Sequence, residues 1–142
     1  MRERGFAIVP NLMTDDELTM ARRACEQWLV EFDAPSIDGG TVPSRYRKGL
    51  LPVTRMFDEL YTHPVLLEIA EDQFRPEGFV FGGAMIKNVA PREDARAMHQ
   101  DDAVFGTDHN PGPGEHAPCM INVLIALDDF TQQTGATHIV PG

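Results

Sequence analysis

The chain holds only two cysteines, Cys25 and Cys119, far apart and in no Cys-x-x-Cys spacing. That excludes a disulfide-stapled scaffold, and the two thiols read as free or buried ones in a reducing compartment. Positive charge is scarce: 12 Lys and Arg face 22 Asp and Glu, a net charge of -10, and the pI is near 4.8. Neither a phosphate backbone nor an acidic lipid surface would attract such a chain, so no nucleic-acid and no membrane partner is expected. No apolar run approaches membrane-spanning length. The opening Met1-Arg2-Glu3-Arg4 is not followed by a signal-peptide core, because Pro10 and Asn11 interrupt it. A cytoplasmic location is the expectation.

What is present suits one globular domain or part of one. The 142 residues are 42% hydrophobic and 8% aromatic, enough to build a core. Residues 6–9 form a short apolar run closed by Pro10, which suits an edge strand. Thr14-Asp15-Asp16-Glu17 has the spacing of a capping box, and Leu18, Ala21, Cys25, Trp28, Leu29 and Phe32 follow at helical spacing. Residues 33–52 show no clear periodicity and carry Arg45, Arg47 and Lys48, the densest basic cluster, which reads as a solvated loop. Residues 53–61 and 64–74 read as two short helices, with Pro64 at the favoured first position and His63 as a capping or surface residue. Strand composition begins at 79–89, bent at Gly82-Gly83. A Gly- and Pro-rich loop spans 106–118. Residues 119–127 are almost unbroken apolar, fit for a strand buried on both faces. Thr134-Gly135 marks a turn, and 137–140 resumes as strand. Helices come first and strands after, an α+β pattern.

The chemistry concentrates at His99-Gln100-Asp101. On an extended segment, residues i and i+2 share a face. An imidazole and a carboxylate so placed can occupy neighbouring positions on one metal ion, two legs of the two-His-one-carboxylate triad of non-haem Fe(II). The spacing alone is also met by a surface turn with acidic residues.

Four motifs in order give that pair its context: Gly5-Phe6-Ala7-Ile8-Val9-Pro10-Asn11-Leu12 before a helix, His99-Gln100-Asp101, Ala126-Leu127-Asp128-Asp129, and Gly135-Ala136-Thr137 with Val140-Pro141-Gly142. Together they resemble the phytanoyl-CoA dioxygenase family of Fe(II)/2-oxoglutarate oxygenases, over the whole chain. The resemblance implies a mainly β, α+β fold: a double-stranded β-helix (a cupin-like jelly-roll) with N-terminal helices packed on one side. It implies one domain over 1–142, with a helical part at about 13–75 and a β-helix core at about 79–142. It implies a dioxygenase whose cofactors are Fe(II) and 2-oxoglutarate, and whose partners are molecular oxygen and a small organic substrate that it hydroxylates. His99 and Asp101 become the iron ligands. His99 must bind as neutral imidazole and Asp101 as carboxylate, so metal affinity should fall in acid. Arg55 and Asn88 stand where some members place groups that reach the co-substrate.

The chain departs from that family at its end. The second His and the principal co-substrate Arg of the family lie past the Val-Pro-Gly motif, and the sequence stops at Gly142. The expectation is an N-terminal fragment, C-terminally incomplete, that binds iron poorly and turns over no 2-oxoglutarate alone. His138 falls at a variable position of the family motif and is not a ligand. His109 and His116 lie in the 106–118 loop. Two other readings stand beside the oxygenase: a non-enzymatic cupin-like module that binds a small molecule or metal, and a metal-dependent hydrolase. The hydrolase lacks an HExxH or similar cluster.

Overall fold

Helix α1 (Asp15–Trp28) starts where the capping box places it. In the computed structural model, which describes residues 4–99, 101 and 120–141, the Thr14 hydroxyl accepts from the Glu17 amide at 3.3 Å. A Glu17 carboxylate oxygen accepts from the Thr14 amide at 2.7 Å. Two donors at the helix start are thereby satisfied, and Asp15, Asp16 and Glu17 complement the positive end of its dipole. Thr14→Ala is expected to cost about 1 kcal/mol. Urea denaturation checks this, and an unchanged midpoint would show that the cap contributes nothing.

The helical spacing that runs on through Leu29 and Phe32 does not carry the helix with it. Leu29 is already extended, at φ -70° and ψ 134°, and strand β1 (Val30–Pro35) begins at once. It pairs antiparallel with β2 (Thr41–Lys48), in register Phe32 to Ser44 and Val30 to Tyr46. Residues 33–52 are therefore largely a hairpin, and the expected loop is corrected here. Period-two alternation in Val30-Glu31-Phe32-Asp33 competes with the helical pattern and wins because β2 offers a partner. Phe32 packs edge-on against Tyr46, with ring centroids 4.7 Å apart, a diagonal cross-strand pair of the kind that holds ribbons together. Gly39, at φ +79°, supplies the left-handed residue of the connection. The basic cluster lies on β2 and is partly engaged: Arg45 grips Glu26 of α1 through both nitrogens, at 2.6 and 3.1 Å.

Strand β3 (Met85–Asn88) pairs with β2 over Arg45–Lys48, completing a sheet of order β1-β2-β3. β3 stops short of Pro43, so at that position β2 has a neighbour on one side only, where a missing amide proton is tolerated. Between β2 and β3 lie α2 (Asp58–Tyr61) and α3 (Pro64–Phe74). The first is shorter than the expected 53–61, because the Thr54 hydroxyl accepts from the Met56 amide at 3.1 Å and offers the backbone a turn instead. His63 caps α3: its Nδ1 accepts from the Val65 amide at 3.3 Å. Ala21, Ala24, Cys25, Leu50, Phe57 and Ile86 form the core, so α1, the 50–57 turn and β3 share one apolar centre, with Tyr61 of α2 packed against it.

Other expected strands are absent among the described residues. Residues 6–9, 79–81, 120–127 and 137–140 are unpaired. The run expected to be buried on both faces leaves Val123 49% and Leu124 61% exposed, and Val140 is 72% exposed. Apolar composition favours a strand only where a neighbouring strand and a covering layer exist, and the described residues supply neither at these positions. The turn at Thr134-Gly135 does form, closed by the Ala136 amide donating to the Thr131 carbonyl at 2.9 Å. The 106–118 loop lies outside the described residues. Among those residues, no helix is long and apolar enough to cross a membrane.

Candidate metal centre

The segment that carries the His-x-Asp pair is anchored before it arrives. Just past β3, Arg92 turns the chain at φ +69°. The Ile37 amide donates to the Arg92 carbonyl at 3.2 Å and the Asp94 amide to the Pro35 carbonyl at 2.9 Å, fastening residues 92–94 to the end of β1. Between these contacts the Glu93 side chain turns inward and is 5% exposed. It accepts from Lys87 Nζ at 2.6 Å and from the Ser44 hydroxyl, and Ser44 Oγ in turn accepts from the Ala90 amide at 3.2 Å. Burial alone would raise the Glu93 pKa. The Lys87 ammonium, the Ser44 hydroxyl and the Ala90 amide together hold it below its ordinary value of 4.5.

From this anchor the chain runs to His99. Its Nδ1 lies 2.8 Å from the Ala97 carbonyl oxygen. A carbonyl only accepts, so Nδ1 carries a proton and donates to it. Nε2 lies 3.1 Å from Asp101 Oδ1, so the two residues do share a face. The second Asp101 oxygen accepts from Asn122 Nδ2. Both side chains are accessible, 59% for His99 and 49% for Asp101.

This donor set fits a divalent metal. Two ligands each about 2.1 Å from an ion and at right angles stand about 3 Å apart, close to the observed separation. A carboxylate only accepts, so either a second ring proton or a bound cation satisfies the contact between Nε2 and Oδ1. The imidazole's other nitrogen is held by a carbonyl, the usual arrangement for a metal-bound His. Among the described residues no cluster of three His, Cys, Asp or Glu side chains forms.

Other expected site residues lie apart. Arg55 Nη2 pairs with Asp58 Oδ2 at 2.7 Å, and its side chain is 81% exposed. Asn88 ends β3 opposite Arg45 and is exposed. Among the described residues no hydrogen bond or ion pair joins either to His99 or Asp101. His138 is exposed; Gln100, Asp102, His109, His116 and Cys119 lie outside the described residues. Cys25 is buried in the core, its thiol pushed up to about 11 by burial and by the nearby Glu26 charge, which suits a packing role.

Sequence reasoning missed Asn122. The signal was there: it is the one polar residue in Met120-Ile121-Asn122-Val123-Leu124-Ile125-Ala126-Leu127.

The chain is 31% identical over 149 residues to the multifunctional dioxygenase ausE of Aspergillus calidoustus, covering 99% of this chain and 49% of that protein. It is 27% identical over 155 residues to the iron/alpha-ketoglutarate-dependent dioxygenase penM of Penicillium thymicola, covering 100% of this chain and 48% of that protein. Against the dioxygenase aneA of Aspergillus aculeatus it is 32% identical over 87 residues, 59% of this chain and 28% of that protein. The chain thus spans about half the length of the curated relatives it matches end to end. No solved structure matches it. The model of the family described as phytanoyl-CoA dioxygenase (PhyH) matches residues 1–142, and the chain belongs to that family.

Proposed function

We propose that this chain is the His-x-Asp half of an Fe(II)- and 2-oxoglutarate-dependent dioxygenase that hydroxylates a small organic substrate, inactive or weak over these 142 residues alone. The family is cupin-like and uses Fe(II) and 2-oxoglutarate. In this reading the chain forms one domain over 1–142, with a helical part at about 13–75 and the first part of a double-stranded β-helix at about 79–142. The observation that carries it is the convergence of His99 Nε2 and Asp101 Oδ1 at 3.1 Å, with the imidazole oriented by the Ala97 carbonyl.

In this reading His99 and Asp101 hold the metal in adjacent positions. Bound there with 2-oxoglutarate, Fe(II) supplies the oxidising chemistry that couples co-substrate decarboxylation to attack on a C–H bond. The protein's part is to orient and to neutralise. Arg55 would leave Asp58 and meet the far carboxylate of the co-substrate, a charge-assisted contact suited to a guanidinium. Asn88 would offer its amide to the same molecule.

Anaerobic addition of Fe(II) and 2-oxoglutarate to the chain is expected to produce a weak visible charge-transfer band. Absence of any band at saturating metal would overturn the reading. In Arg55→Ala the 2-oxoglutarate concentration for half-maximal absorbance should rise about tenfold, the scale of one charge-assisted contact. An unchanged value would remove Arg55 from the co-substrate site.

A further inference from the structure

We propose that Asn122 is a positioning residue that reserves a single oxygen of Asp101 for the metal; this rests on the metal-site reading above. A carboxylate beside a divalent cation can bind through one oxygen or both. Here the two oxygens have different partners: Oδ1 faces His99 Nε2 at 3.1 Å, while Oδ2 accepts from Asn122 Nδ2. With that lone pair engaged, the carboxylate plane is fixed and Oδ1 alone is presented beside the imidazole. His99 is oriented in a parallel way through its far nitrogen, so each ligand is held by the atom that does not face the metal.

The donor itself is anchored. Arg22 of α1 donates from Nε to the Leu127 carbonyl and pairs with Asp128 Oδ1 at 3.2 Å. Leu127 packs against the core cluster. The stretch that bears Asn122 is thereby tied to the best-capped helix of the chain. Within an apolar run with exposed neighbours at Val123 and Leu124, an amide gains nothing from packing, and its side-chain contact is to Asp101.

The test is a Co(II) titration of the 142-residue chain followed by NMR, which reads weak binding, on wild type, His99→Ala, Asn122→Leu and Asn122→Gln. Leu matches Asn in shape and lacks the donor; Gln keeps the amide one methylene further out. The expected result is a dissociation constant raised about tenfold in Asn122→Leu, the lower end of what loss of an outer ligand partner produces. The melting temperature should not change, and Asn122→Gln should recover part of the affinity. A merely structural Asn would shift the melting temperature and leave the constant alone. Wild-type affinity in Asn122→Leu, with His99→Ala still abolishing saturable shifts, overturns the Asn122 role and spares the metal site. No His99-dependent binding in wild type overturns both. Should the Leu variant not fold, Asn122→Ala carries the same expectation and the same refutation.

Discussion

Replacing His99 with Ala is expected to abolish the Fe(II)–2-oxoglutarate band and to weaken divalent-metal binding by more than about 100-fold, beyond the range that loss of an outer-shell partner produces. The size follows from the site's composition. In the proposed site the donors among the described residues are one imidazole nitrogen and one carboxylate oxygen, so the substitution leaves a single carboxylate that is half open to water. Stability should barely move, by less than about 0.5 kcal/mol, because the His99 side chain is 59% exposed and contributes no core packing. Absorbance and a thermal melt on the same sample separate the two effects. A band of wild-type intensity in His99→Ala would remove the residue from the centre.

Replacing Glu93 with Ala should have the largest effect on folding, a loss of about 2–3 kcal/mol at neutral pH. The carboxylate is shared between Ser44, which is 1% exposed, and the Lys87 ammonium, which is 25% exposed. Its removal orphans a buried hydroxyl and a partly buried charge, each costing more than the lost bond itself. The same cluster makes the chain acid-sensitive. Because the folded carboxyl titrates below its ordinary value of 4.5, its stabilisation is fully present above that pH and is lost as the pH falls through the lower folded value. Glu93→Gln should therefore flatten the acid limb of a stability-versus-pH curve while lowering the plateau. Urea unfolding between neutral pH and about pH 3 reads both, and an acid limb as steep as that of wild type would show that other carboxylates set it. Since residues 92–94 anchor the stretch leading to His99, Glu93→Ala should also loosen the metal pair.

The sequence reading succeeded where local chemistry decides structure. Thr14 to Glu17, Pro64 after His63 and Thr134-Gly135 each act within a few residues, and each forms as read. It failed at Leu29 and Phe32, where two periodicities overlap in one short stretch. The choice there was made by β2, a partner more than ten residues on, and no window on the helix contains that information. The apolar runs at 79–81 and 120–127 show the reverse: strand-like residues without strands, because pairing depends on chain that is not their neighbour in sequence. At the site, His99 and Asp101 do approach each other, though neither lies on a strand. The Asn122 contact spans 21 residues and was visible only as an oddity of composition. Nothing in the spacing linked it to Asp101.

The grip on the imidazole at position 99 comes from a peptide carbonyl, that of Ala97. Every amino acid brings an identical oxygen there, so drift at position 97 can proceed without removing the partner of that ring nitrogen. The vulnerable position is its neighbour. A proline at 98 would restrict the backbone of residue 97, so a change outside the His99–Asp101 pair bears directly on how the imidazole is held.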